Sequence, residues 1–208
     1  MKTKHFAFIL ALAAVAACSS AKYVVDPPAV DLTAMGTIGL VMLSADNAKG
    51  DLDAAATQHF LQRVNAAQGV PVIELGPSAS VLADLGKTAF DRDAALALGE
   101  KQKIDVFFTG EVQVTKVKPQ VDVLAPLNGS LFARATVDMS IKVRLVSCKN
   151  GATLWTRSVT REGTVGSVGL DGGVPVFAAR DKNEALDELL REITYQLTWD
   201  FRSTRRRL

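Results

Sequence analysis

The apolar and polar positions of this chain fall into segments with distinct periods. The clearest runs over 133–145, where Ala133, Ala135, Val137, Met139, Ile141, Val143 and Leu145 alternate with Arg134, Thr136, Asp138, Ser140, Lys142 and Arg144. Period two over this length predicts a strand with one buried face and one wet face. Thr37–Leu43 is a near-continuous apolar run, as in a central strand covered on both faces. Val70–Leu75, closed by Gly76-Pro77, predicts a second strand. Residues 104–117 predict a third, apolar at first (Ile104, Val106, Phe107, Phe108) and then alternating. Residues 118–130, with Pro119, Pro126 and Gly129, read as a loop.

Helical spacing marks three further regions. Leu52, Ala55, Ala56, Phe60, Val64 and Ala67 share one face of a helix over 52–67, with Asp51 placed to cap it and Gly69 to end it. Ser78 opens a short helix to Leu85, and Asp91 caps another over 92–102. Leu186, Leu189, Leu190, Ile193 and Leu197 form the stripe of a last helix, with Asp181 and Glu184 as a capping box.

The turn at Lys149-Asn150-Gly151 sets the register of the strand that follows. A two-residue Asn-Gly turn pairs Leu145 with Thr156 and leaves Trp155 on the polar face. A three-residue loop with a left-handed Gly151 pairs Leu145 with Trp155 and Ile141 with Val159, both inward. The second register is expected because it buries the tryptophan. It also sets Arg157 opposite Val143, where the side chain must snorkel or sit at an edge. Residues 163–175, with five glycines, read as a mobile loop. The expected fold is α+β (mixed α/β): one partly antiparallel sheet of about five strands packed by three to four helices, in the order β-α-β-α-α-β-β-β-α. Phe60, Ile141, Leu145 and Trp155 are its expected core anchors.

Composition narrows the function. The 208 residues, 48% hydrophobic and 22% charged, suit one globular domain, and a net charge of +2 is too small to point to nucleic acid. The start of the chain has the form of a secretory leader. Lys2 and Lys4 precede the apolar run 6–15, and Ala16 and Ala17 are small residues ahead of a cut. The run is shorter than the ~20 residues of a membrane-spanning helix. Removing residues 1–17 takes Lys2, Lys4 and His5, so 24 basic residues become 22 against 22 acidic, and His59 is the last histidine. His59 is expected on a solvent-facing helix surface. Cys148 lies beside Lys149, which favours thiolate, but an incidental or structural thiol is the plainer reading. One His and one thiol eighty-nine positions apart make no zinc site. No glycine-rich phosphate loop is present, and the carboxylate pairs Asp91/Asp93 and Asp187/Glu188 read as a helix start and a solvated helix face. No cofactor, no metal and no catalytic residue is implied. Arg202, Arg205, Arg206 and Arg207 form the one charge cluster. It suits an acidic partner or lipid phosphates, or else a solvated tail at the negative end of the last helix.

Two resemblances add to this. Val15-Ala16-Ala17-Cys18 resembles the lipobox of bacterial lipoproteins. It implies cleavage before Cys18 and acylation of Cys18 with a diacylglycerol and an amino-linked fatty acid of the palmitate class. An ordinary secretory cut with a free Cys18 thiol is the alternative. Ser19 in place of aspartate favours the outer membrane, by resemblance to enteric sorting. Residues 18–35 then read as a lipidated tether and 202–208 as a basic tail. Over 36–201, Ile104-Asp105-Val106-Phe107-Phe108-Thr109-Gly110 and Asn150-Gly151-Ala152-Thr153-Leu154-Trp155 resemble the strand and hairpin motifs of CsgG-like lipoproteins, with Asn150 where that family has threonine. That family spans the curli secretion channel, LpoB-like activators and relatives of the TolB amino-terminal domain. It implies a periplasm-facing, non-catalytic adaptor or activator that binds an envelope protein. The alternatives are a subunit of an oligomeric CsgG-type channel, hence a homo-oligomer, or the auxiliary lipoprotein of an ABC-type lipid transporter, suggested by 23–28.

Overall fold

The computed structural model describes residues 23–45, 51–115, 118–122, 132–171, 174–179 and 182–207. Residues 1–22, with the leader and Cys18, and the Asp181 cap lie outside them. The chain divides into two compact units. Residues 23–28 and 203–207 lie in one, and Ala29–Arg202 form the other.

The larger unit is α+β. Strands β2 (Ile38–Met42), β3 (Ser44–Ala45) and β4 (Val72–Pro77) alternate with helices α1 (Leu52–Gln68), α2 (Ser78–Asp84) and α3 (Arg92–Gln102). Then come β5 (Val106–Val114), β6 (Lys118–Asp122), β7 (Phe132–Ser147), β8 (Thr153–Asp171) and β9 (Val174–Ala179), followed by α4 (Lys182–Leu197) and a 3-10 turn at Trp199–Phe201. The sheet runs β4-β2-β5-β7-β8-β9, with β3 beside β5 and β6 beside β7. β2 is parallel to β4 and to β5, whereas β5, β7, β8 and β9 are antiparallel. The βα crossovers fix the first half, and the hairpins fix the second.

Side-chain alternation sorts the core into two layers. On one face Leu40, Val106, Phe108, Ile141, Leu145 and Trp155 pack against α1 and α4. On the other, Val41, Phe107 and Val146 pack against Val81 of α2 and Ala95 and Leu98 of α3. The second cover is short. Beyond it, Thr109 and Glu111 of β5 and Lys142 and Arg144 of β7 form a polar sheet surface, with a cleft of about 320 Å³.

Several expectations change here. The turn after β7 is one residue wider than expected: Gly151, at φ +72°, donates its N–H to the Ser147 carbonyl, and Ser147 N–H bonds to Ala152. A register shift between Leu145 and Val146 then restores Leu145 opposite Trp155, Ile141 opposite Val159 and Val143 opposite Arg157. The segment 118–122 is strand rather than loop. Pro119 is tolerated because β6 pairs with β7 alone, so no second ladder needs its missing N–H. Residues 123–130 lie outside the described residues. Much of the glycine-rich segment is strand as well: β8 continues to Asp171 and pairs antiparallel with β9, while Gly172 and Gly173 lie outside the described residues. Gly163 is small for contact, not for motion: a Cβ there would stand 2.5 Å from Leu189 Cδ1 of α4.

Residues 29–35 belong to the folded unit rather than to a tether. Leu32 is fully buried. Gln68, at the end of α1, accepts from Leu32 N–H (2.7 Å) and donates to the carbonyls of Val30 (2.6 Å) and Phe201 (3.0 Å). One side chain thus ties both flanks of the domain together. Asp91 caps α3 through Ala94 N–H at 2.8 Å, but Asp51 makes no such cap, and Ser78 is the first residue of α2 rather than its cap, donating to the Met42 carbonyl.

Candidate functional site

The groups with catalytic potential are engaged in the fold. His59 is four-fifths covered rather than solvent-facing, because α1 and α4 pack along a seam that includes it. Its Nε2 lies 2.7 Å from Asp187 Oδ1, and Asp187 Oδ2 also accepts from Arg191 at 2.9 Å. Cys148 is buried under Gly99, where even a glycine-to-alanine Cβ would come within 2.4 Å of its Cβ. Burial, reinforced by the nearby Asp105 charge, pushes its thiol up to about 11. Lys149 does not activate it: the ammonium reaches Asp105 Oδ1 at 3.4 Å. Asp105 accepts the Thr37 backbone N–H at 2.9 Å, and this bond, with the Lys149 contact, holds its carboxyl below the usual range. Among the described residues, no group of three His, Cys, Asp or Glu side chains stands close enough to hold a metal ion.

Arg157, the residue at odds with the period-two pattern, finds its partner forty-three positions away. Its Nη1 donates to Asp200 Oδ1 at 2.5 Å, and Trp155 Nε1 donates to Asp200 Oδ2 at 2.9 Å. Burial pushes the Asp200 carboxyl up, but the bonds from Arg157 and Trp155 and the Arg157 charge outweigh it and leave it below the ordinary value. The Trp155 ring packs on Phe201 (4.8 Å) and Phe108 (6.4 Å), and Phe108 on Phe60 (5.1 Å). Phe60, Ile141 and Leu145 are fully buried. These anchors form one end of the core and offer no opening.

The surface feature suited to recognition lies on the outer side of α4. Leu186, Leu189, Leu190, Ile193 and Leu197 face inward, which leaves Tyr195 and Trp199, at i and i+4, facing out. Tyr195 is 44% and Trp199 47% exposed, with ring centroids 6.3 Å apart. Arg202 sits over Tyr195, its guanidinium carbon 3.8 Å from the ring centroid, and donates to the Tyr195 carbonyl and Thr198 Oγ1, both at 3.0 Å. Arg63 of α1 approaches the same ring at 5.4 Å. The two arginines pre-organise Tyr195 by cation–π contact, and the Trp199 ring stands edge-on to it. Arg202 stands out in the sequence as part of the charge cluster, whereas Tyr195, Trp199 and Arg63 do not. The available signal was two aromatics at helical spacing off the apolar stripe.

Arg205, Arg206 and Arg207 belong to the smaller unit, where they form strand rather than a loose tail. β1 (Tyr23–Asp26) pairs antiparallel with β10 (Thr204–Arg207), Tyr23 opposite Arg207 and Val25 opposite Arg205. Arg206 Nε lies 3.5 Å from Asp26.

No family model and no curated protein matches the sequence. In the course of its chain the protein is similar to several solved structures. The PelC dodecamer from Paraburkholderia phytofirmans matches at 13% identity, over 87% of this chain and 96% of that one, with a TM-score of 0.47. The LpoB C-terminal domain from Salmonella enterica matches at 11%, over 64% and 87%, with a TM-score of 0.37. The lipoprotein GNA1162 from Neisseria meningitidis matches at 18%, over 78% and 98%, with a TM-score of 0.39. These are likenesses in the course of the chain alone.

Proposed function

We propose that this chain is an outer-membrane lipoprotein, anchored through acylated Cys18 and facing the periplasm, that acts as a non-catalytic adaptor or activator by binding another envelope protein. The observation that carries the binding role is the exposed Tyr195–Trp199 pair set between Arg63 and Arg202. Tyr, Trp and Arg dominate interface hot spots; the aromatic rings bury large areas at little entropic cost, and Arg202 is already held in place on Tyr195. The anchor rests on the leader and the Val15-Ala16-Ala17-Cys18 motif. The engagement of His59 with Asp187 and the raised pKa of Cys148 favour binding over catalysis.

A photocrosslinking residue at Arg191, one turn from Tyr195 on the same helix, tests the reading in cells. It is expected to give one discrete adduct with an envelope protein, reduced at least ~10-fold by Trp199→Ala. The same crosslinker at Ile73, exposed on β4, is expected to give none. An adduct at Arg191 that Trp199→Ala leaves undiminished would contradict the proposed surface.

A further inference from the structure

The β1–β10 ribbon has two unlike faces. Antiparallel pairing puts Tyr23, Val25, Arg205 and Arg207 on one and Val24, Asp26, Thr204 and Arg206 on the other. On the second face the one carboxylate neutralises Arg206. On the first, both guanidinium groups stand in water beside Tyr23 and Val25, which are 61% and 59% exposed. A two-stranded ribbon with its side chains in water is marginal by itself. This one therefore calls for a surface that takes two cations, an aromatic ring and an aliphatic side chain together.

We propose that this face lies on an anionic phospholipid surface, with Arg205 and Arg207 on lipid phosphates and Tyr23 and Val25 at headgroup depth. Charge supports that occupant: the ribbon carries three arginines against one aspartate, and the uncompensated pair shares the exposed face. Tyrosine is the side chain that favours this boundary, with its ring toward the apolar side and its hydroxyl in water. Chain length supports it too, and here the inference rests on the reading that Cys18 bears lipid. Five residue steps from Cys18 to Tyr23 reach at most about 18 Å, which keeps the ribbon at the bilayer surface. The ribbon is then a second, electrostatic contact alongside the acyl anchor.

Flotation with vesicles tests this without the acyl group, so failure here is separate from failure of the lipoprotein reading. The chain from residue 18 onward, carrying Cys18→Ser, is mixed with phosphatidylglycerol vesicles or with phosphatidylcholine vesicles. Binding is expected to the first and at least ~10-fold weaker to the second. Arg205→Gln with Arg207→Gln is expected to lower binding about thirtyfold, as each basic residue at such a surface contributes about fivefold. Arg206→Gln, already paired with Asp26, is expected to change it less than twofold. An unchanged near-ultraviolet spectrum shows that the variants are folded. No binding to phosphatidylglycerol, equal binding to both vesicles, or equal losses in the Arg206 and Arg205/Arg207 variants would overturn the proposal. So would a concentration-dependent dimer in vesicle-free solution that the Arg205/Arg207 variant abolishes, which would assign the face to a second copy.

Discussion

Trp155→Ala is expected to cost about 3–5 kcal/mol of folding stability. The ring is 9% exposed and packs edge-on or tilted against Phe108 and Phe201. Its removal opens a cavity at the point where the 3-10 turn closes on the sheet. It also takes one of two side-chain donors from Asp200, leaving Arg157 as the other. Trp155→Phe separates the two losses: it keeps most of the aromatic packing and loses only the N–H, for about 1–2 kcal/mol. Urea midpoints with an unchanged slope measure both. Fluorescence provides an internal check. Trp199 is half exposed, so the Ala variant should lose the blue-shifted part of the emission. A cost below about 1 kcal/mol for the Ala variant would contradict the placement of Trp155 in the core.

Gly110→Ala is expected to be the most damaging addition of a single methyl group. Gly110 sits in β5, the strand that joins the parallel and antiparallel halves of the sheet. A Cβ there would lie 2.3 Å from the Lys142 carbonyl oxygen and 3.0 Å from Val143 Cα, both backbone atoms of β7. Backbone cannot turn aside as a side chain can, so the β5–β7 ladder must open locally. The expected cost is about 3 kcal/mol, at the upper end for overpacking. Gly163→Ala makes the useful comparison. The three atoms nearest its Cβ would all belong to the Leu189 side chain, which can move, so a cost of about 1–2 kcal/mol is expected. Equal costs in chemical denaturation would contradict the distinction.

What the sequence reveals and what it conceals divide along physical lines. The β7–β8 register is legible because one face must bury Ile141, Leu145 and Trp155 together, and a one-residue slip would expose them all. The partner that makes Arg157 tolerable on that face, Asp200, is not legible, since it comes from a turn after the last helix. Leu32 and Gln68 are concealed for the same reason: a single buried leucine has no period, and a helix-end glutamine gives no sign of the carbonyls it will meet. Glycine in 163–175 suggests freedom when read locally. At Gly163 the fold uses it for close approach to α4. Pro119 likewise suggests a loop until β6 is seen to have one neighbour. In the candidate site, Arg202 is legible as charge. Its role in holding Tyr195 is not, because it depends on the chain folding back over the last turn of α4.

The functional account depends first on where the chain is anchored, since partner and membrane contact alike assume an envelope lipoprotein. Mass spectrometry of the mature protein extracted from membranes tests this most directly. The account predicts an amino terminus at Cys18 carrying a diacylglycerol and an amide-linked fatty acid. A mature chain that begins elsewhere, or an unmodified Cys18 still joined to Ala17, would contradict it.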